Sequence, residues 1–388
     1  MSIGTSSVSR PAPAGRDTPS LLPEDRLAES RRKIRAPFAL DPTLCCYSPQ
    51  ANVDALRHPR VVAWHEVIRH DWVPTPVPGA RARLALLMPC TKYKPYFTSR
   101  EHRGINAGLL AAGWAPVRPS GAPPELDEVL TPEEDPELLN EAPLVRDGVV
   151  LDRFVMSEPL ALVPYELTMY LDGEPSPASA YDDPGLFEAR GTAVSPERDD
   201  CTAVQRRDGT WAWGPGERAA YVQMHNVMSE TMGDALARVA PRYDHIVAWT
   251  SPGLTHRSFL VDAASRAADG LAASRRGPDG ELPLLGVLDA HPGLVGVLPD
   301  REQRRRARAR LATRLDAEGR AHSEASVRAV FARGDGHDTP LGLPELVDEL
   351  VAHLDGLISH LDEGAAHLEG AAHLDEGATR LDEGAAES

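Results

Sequence analysis

The sequence predicts an α/β domain of three layers with a mainly parallel sheet, followed by a helical C-terminal extension and an acidic repeat tail. Two observations carry this. Apolar runs of strand length, Leu84 to Met88, Val149 to Met156 and Ile246 to Trp249, alternate with stretches of helical periodicity between residues 60 and 290, and that alternation builds parallel sheets flanked by helices. Beyond Asp300 the apolar runs stop, and Arg- and Ala-rich sequence gives way to short repeats. Four regions follow: a disordered N-terminus over 1–19, the α/β core over 20–295, the helical extension over 296–350 and the low-complexity tail over 351–388.

Residues 1–19 are Ser, Pro, Ala and Gly with little apolar content, too little to pay for ordering. Leu21 to Ile34 has helical periodicity with a basic end, Arg31-Arg32-Lys33, and either packs on the body or meets a partner. Val61 to Trp72 reads as an amphipathic helix whose His65 and His70 lie at the surface. Leu84 to Met88 runs unbroken into Pro89-Cys90, as a buried strand does. Thr98-Ser99-Arg100-Glu101 offers Thr98 as N-cap with Glu101 three residues on, a capping box for the helix that contains Ile105 to Leu110. His102 then falls in its first turn.

Pro116 to Pro143 is a long Pro-rich, acidic excursion before the strand Val149 to Met156. Ser157 to Leu167 reads as a second passage from strand to helix, with Pro164 at the first helical position. Ser176 to Asp208 is loop, and Trp211 and Trp213 either cover a cleft or anchor their own loop. Glu217 to Ala240 is the clearest helix: Met224, Val227, Met228, Met232, Leu236 and Val239 recur at core spacing. Asp244 to Thr250 is the third strand, closed by Ser251-Pro252-Gly253, and Phe259 to Ala268 the next helix. Leu282 to Leu288 reads as a fourth strand, ending near Asp289 and His291. From Asp300 the chain is helical to about Arg333, and again over Leu341 to Leu361. The tail repeats HLDEGAA-like units, one Leu and commonly one Gly in each, and Gly costs about 1 kcal/mol of helix stability against Ala. That composition suits a frayed acidic helix or a disordered tail better than a coiled coil.

Composition narrows the function. With 58 acidic and 41 basic residues the net charge is −17, which disfavours independent nucleic-acid binding, since phosphate neutralisation needs a basic surface. Seven Arg between Arg301 and Arg314 make a solvated helix face. The four cysteines, Cys45, Cys46, Cys90 and Cys201, form no C-x-x-C pair, so neither a zinc nor a disulfide scaffold is expected, and no metal or cofactor is assigned. No run approaches the length of a membrane span, and the first residues lack the apolar core of a signal peptide. The expected setting is the reducing cytoplasm.

The densest chemistry lies just past the first strand. Cys90, Lys92, Tyr93, Lys94, Tyr96, Thr98, Ser99 and His102 crowd into thirteen residues at the strand's carboxyl end, where ligands sit in open α/β sheets. A helix terminus and two lysines would lower a thiol pKa and ready Cys90 for attack on a nitrile, amidine or amide carbon. Should the strands after residues 84 and 149 be parallel neighbours, Glu166 would approach Cys90 and His102 as general base or amine ligand. The plainer account of Glu166 is compensation of a helix dipole, worth about 0.3–1 kcal/mol.

Pro89-Cys90, Lys94-Pro95-Tyr96, Ser99 and His102 at their spacing resemble the PC-x3-KPY-x2-S-x2-H signature of archaeosine synthase, the archaeal paralogue of tRNA-guanine transglycosylase. Ser157 to Leu167 is similar to that family's SP-LGLVP-x-EL segment, and Tyr181-Asp182 to a following YD; the resemblance spans about residues 55–270. It implies a uracil-DNA-glycosylase-like sheet and an enzyme of transferase or amidinotransferase type, adding an amine to a nitrile-bearing 7-deazapurine, free or in tRNA. Cys90, Lys94, His102 and Glu166 are the implied catalytic group. Pro89, Tyr96, Ser99, Tyr165 and Asp182 are the implied substrate contacts, with Tyr96 stacking on a planar base. The transglycosylase barrel and its RNA-binding module have no counterpart here. The expected partners are therefore a base or nucleoside, tRNA delivered by another protein, and a protein bound through the terminal helices. A non-catalytic accessory subunit is the alternative.

Overall fold

A computed structural model describes residues 21–383, apart from 184, 186–187, 189–190, 253–254, 321–322 and 337–338. The segment 1–19, expected to be disordered, Gly253 of the turn after the third strand and the last five residues of the tail lie outside the described residues.

The centre is a seven-stranded sheet: β1 (Ala82–Pro89), β2 (Ala115–Pro116), β3 (Leu144–Arg146), β4 (Val149–Ser157), β5 (Ala161–Pro164), β6 (His245–Trp249) and β7 (Gly296–Leu298). The order is β7-β6-β1-β4-β3-β2, with β5 on the outer edge of β4. Strands β7, β6, β1 and β4 are parallel, while β2, β3 and β5 add antiparallel pairings. The sheet is thus mainly parallel. Leu84 to Met88 is buried on both faces, as a central parallel strand must be.

The helices are α1 (Pro23–Lys33), α2 (Pro49–Ala55), α3 (Pro59–Glu66), α4 (Arg100–Ala111), α5 (Pro215–Val239), α6 (Thr255–Leu260), α7 (Ala263–Ala268), α8 (Val287–Ala290), α9 (Arg301–Ala317), α10 (Glu324–Arg333) and α11 (Pro344–Glu383). From β1 the chain crosses by α4 to β4 on one side, then returns by α5 to β6 on the other. Right-handed crossovers place those two helices on opposite faces, and α4 accordingly packs with α11, and α5 with α2, α6 and α8. The reversal of direction makes a topological switch between β1 and β6.

Most expected elements are found, and the differences have local causes. Ser99 is the N-cap of α4, its Oγ accepting from the His102 N–H at 3.2 Å. Thr98 instead closes a 3-10 turn with its hydroxyl on Pro95 O at 2.7 Å, and Glu101 accepts from Thr339. Leu282 does not begin a sheet strand. Gly280–Pro283 pairs with Ser274–Gly277 as a separate hairpin, and β7, only three residues long, completes the parallel set. Helix α1 packs on the body, Arg26 donating to the carbonyls of Val194 and Thr192 at 2.7 and 2.6 Å. The Arg-rich face of α9 binds α11: Arg306 and Arg310 hold Glu349 at 2.6 and 2.8 Å, and Arg314 holds Glu345 at 2.6 Å. The methionine stripe Met224, Met228 and Met232 is core, as its spacing requires.

Candidate active site

Three carboxyl ends of parallel strands meet at the switch. In the β1–β4 register Pro89 lies opposite Met156, so Cys90 follows beside Ser157 and its N–H donates to Met156 O at 3.0 Å. Glu158 is the next residue out of β4. From β6 the chain turns into α6, whose second residue is His256. The result is a close trio: Cys90 Sγ lies 3.3 Å from His256 Nε2, which lies 3.8 Å from Glu158 Oε2. His256 and Glu158 are buried, while the Cys90 side chain keeps some exposure.

Its electrostatics differ from the sequence expectation. Burial, reinforced by the Glu158 charge and opposed by Lys94, pushes the Cys90 thiol up to about 12. Burial likewise holds His256 below its ordinary value, with Glu158 opposing. At neutral pH the pair is a thiol beside an uncharged imidazole. The helix α4 and the lysines therefore do not make a standing thiolate, because desolvation outweighs them. Asp183, never singled out by motif, belongs here: burial and then Glu158 hold its carboxyl well above the usual range.

Lys94 is 1% exposed, donates to Thr91 O at 3.1 Å and sits 4.5 Å from the Tyr181 ring centre. Its charge reaches Cys90 and Asp183, so it shares this end of the sheet. Tyr96 does not offer a stacking face. It is fully buried, and its hydroxyl meets that of Tyr181 at 2.8 Å, which in turn meets Ser157.

His102 departs most from expectation. It is fully buried; Nε2–H donates to Pro89 O at 2.9 Å, which leaves Nδ1 to accept from the Tyr165 hydroxyl at 2.8 Å. Both ring nitrogens are thereby committed, and the ring lies nearly parallel to Tyr165. His102 is a strut between α4, β1 and the turn after β5. Pro89 contributes that carbonyl, Ser99 the cap, and Tyr165 the other end of the strut, beneath Arg153 at 4.4 Å.

Glu166 does not reach Cys90. Strands β1 and β4 are indeed parallel neighbours, but β4 turns back through Glu158 into antiparallel β5. Pro164 pairs with Phe154, four residues, or about 13 Å, back from Glu158. There Glu166 accepts from Trp72 Nε1 at 3.2 Å and the Thr75 hydroxyl at 2.9 Å. Asp182 also serves structure: its Oδ2 accepts from Ser30 and Lys33 at 2.6 and 2.7 Å, tying α1 to the core. The structure thus places Cys90 and Lys94 of the expected group at the strand ends with His256 and Glu158, and holds His102 and Glu166 in other contacts. Comparison with protein-family models, curated proteins and solved structures returns no match to this chain.

Proposed function

We propose that the chain is an enzyme related to archaeosine synthase, adding an amine to the nitrile of a 7-deazapurine or a similar small base, with Cys90 and His256 as the reacting pair. The observation supporting this is the 3.3 Å contact between Sγ and Nε2 at the switch of a parallel sheet. The Cys90 sulfur attacks the nitrile carbon while its proton passes to His256 Nε2 and on to the nitrile nitrogen, giving a thioimidate. Glu158, beside Nε2, stabilises the transient imidazolium. The amine then attacks the same carbon, the C–S bond breaks, and the amine's proton returns through His256 to sulfur. An amidine is released, with nothing oxidised or reduced. A thiol that stays protonated until attack suits this scheme, because a standing thiolate beside Glu158 would be costly.

The uracil-DNA-glycosylase-like arrangement suggested by the resemblance is compatible with four parallel strands flanked by helices. The charge of −17 favours a free base or nucleoside, or tRNA presented by another protein, over unaided RNA binding. The test is incubation with 7-cyano-7-deazaguanine, free or in tRNA, plus lysine or other amines, read by mass spectrometry. Expected are an amidine product and a protein adduct equal in mass to the nitrile, both lost in Cys90→Ala. Absence of product in every combination overturns the reading. Undiminished product from Cys90→Ala in an assembled system would mark the chain as an accessory subunit.

A further inference from the structure

The three side chains at the strand ends are arranged unlike a Ser-His-Asp-type triad. In such a triad the carboxylate holds the imidazole nitrogen remote from the nucleophile. Here Sγ and Glu158 Oε2 both approach Nε2 of His256, and the three atoms lie within 4.8 Å of one another. The three donors converge on a point. Meanwhile Nδ1 of His256, whose residue is 7% exposed, has no hydrogen-bond partner among the described residues. The carboxylate of Glu158, 4% exposed, lies 3.8 Å from His256 Nε2.

We propose that Cys90, His256 and Glu158 form a binding site for a divalent cation of the zinc class, with a fourth position open toward the exposed edge of Cys90. Tetrahedral zinc, with bonds of about 2.3 Å to sulfur and about 2.0–2.2 Å to nitrogen and oxygen, asks for S···N and N···O separations of about 3.6 and 3.4 Å. The observed 3.3 and 3.8 Å fit after adjustments of a few tenths of an ångström. One sulfur, one imidazole and one carboxylate select zinc or cobalt over magnesium or calcium, which take oxygen ligands. Three protein ligands with one open position is the pattern of a reactive rather than a structural zinc site. On binding, the Sγ–H bond breaks, its proton leaves to solvent, and a metal–sulfur bond forms. The cation would occupy the sulfur that the nitrile needs, so zinc inhibits the reaction proposed above; the site itself is argued from the three donors alone and does not depend on that reaction.

The test is titration of the metal-free full chain with cobalt(II), followed by absorption. Expected is one equivalent giving the near-ultraviolet thiolate-to-cobalt charge-transfer band with intense visible tetrahedral bands. Zinc should bleach both, and a large excess of magnesium should not. Cys90→Ser should abolish the charge-transfer band, and His256→Gln and Glu158→Gln should each weaken cobalt binding at least tenfold. A Cys45/Cys46/Cys201→Ser chain should retain the whole signal. Thermal melting of each variant confirms folding, and the two Gln variants keep the test decisive should Cys90→Ser fail to fold. Absence of the band from the wild-type chain, its persistence in Cys90→Ser, or its loss from the triple variant overturns the proposal. Cobalt taken up by the histidines of the C-terminal helix gives no thiolate band, and such binding alone counts against the site.

Discussion

Replacing His102 separates the strut described above from a catalytic base. His102→Ala removes both the donor to Pro89 O and the acceptor for the Tyr165 hydroxyl, bonds of 2.9 and 2.8 Å in a fully buried setting. Each orphaned buried partner costs about 1–3 kcal/mol, and the vacated ring volume adds a cavity cost. With about 1.5 kcal/mol for each partner and about 1 kcal/mol for the cavity, the sum is about 4 kcal/mol. For a chain of this size that corresponds to a fall of roughly 8 °C in melting temperature, at about 2 °C for each kcal/mol. His256→Ala removes one close contact, to Cys90 at 3.3 Å, and a longer one to Glu158 at 3.8 Å, and is expected to cost about 2 kcal/mol, half as much. Thermal melting and urea denaturation of both variants, followed by intrinsic fluorescence, measure the difference. His102→Gln should recover little, because one amide cannot span from Pro89 O to the Tyr165 hydroxyl. The reasoning fails if His102→Ala melts with the wild type, since a side chain held by two buried bonds cannot be removed without loss.

Two further predictions concern the frame around the site. Burial pushes the Asp152 carboxyl up to about 6, against the opposing charge of Arg83. The folded chain therefore holds this proton more tightly than the unfolded one, and stability must fall as pH rises from about 4 to 6, levelling above both values. At 1.36 kcal/mol per unit the fall is about 3 kcal/mol, and Asp152→Asn should remove it from urea midpoints measured across that range. At Gly108 on α4, an added Cβ would lie 2.1 Å from Val347 Cγ1 on α11. Gly108→Ala should destabilise by about 1–3 kcal/mol despite the better helix propensity of Ala, and Val347→Ala in the same chain should restore stability and protection of α11 from protease.

How much of this was legible follows the range over which each signal acts. β1, β4, β6 and the core stripe of α5 are declared by local apolar pattern, and Cys90 by its place at a strand end. β7, three residues long, carries too little pattern to register, and its role fell in the expectation to the apolar run at Leu282. His102 looks reactive in sequence because it follows a helix cap; its fixed partners, Pro89 O and Tyr165, arrive from other elements and cannot be read from spacing. Glu166 was misplaced by one reversal. A turn at Glu158-Pro159 sends β5 back beside β4, where the sequence reads as the entry to a helix.

The same reversal hides Glu158 from a reading by spacing. Glu158 looks like an ordinary turn residue, yet a side chain at the carboxyl end of β4 must neighbour one at the end of β1 once those strands are parallel and in register. The signal for His256 was also present. β6 and β1 are the strands whose crossovers leave on opposite faces, so the first residues after each strand line one crevice, and His256 is the imidazole nearest the end of β6. A topological argument therefore gathers all three groups from strand order alone: any two parallel neighbours at a switch bring their following loops together, whatever those loops contain. What strand order leaves open is which atoms face one another, and that is settled by α6 beginning at Thr255, close enough to the sheet to turn Nε2 of His256 onto the sulfur.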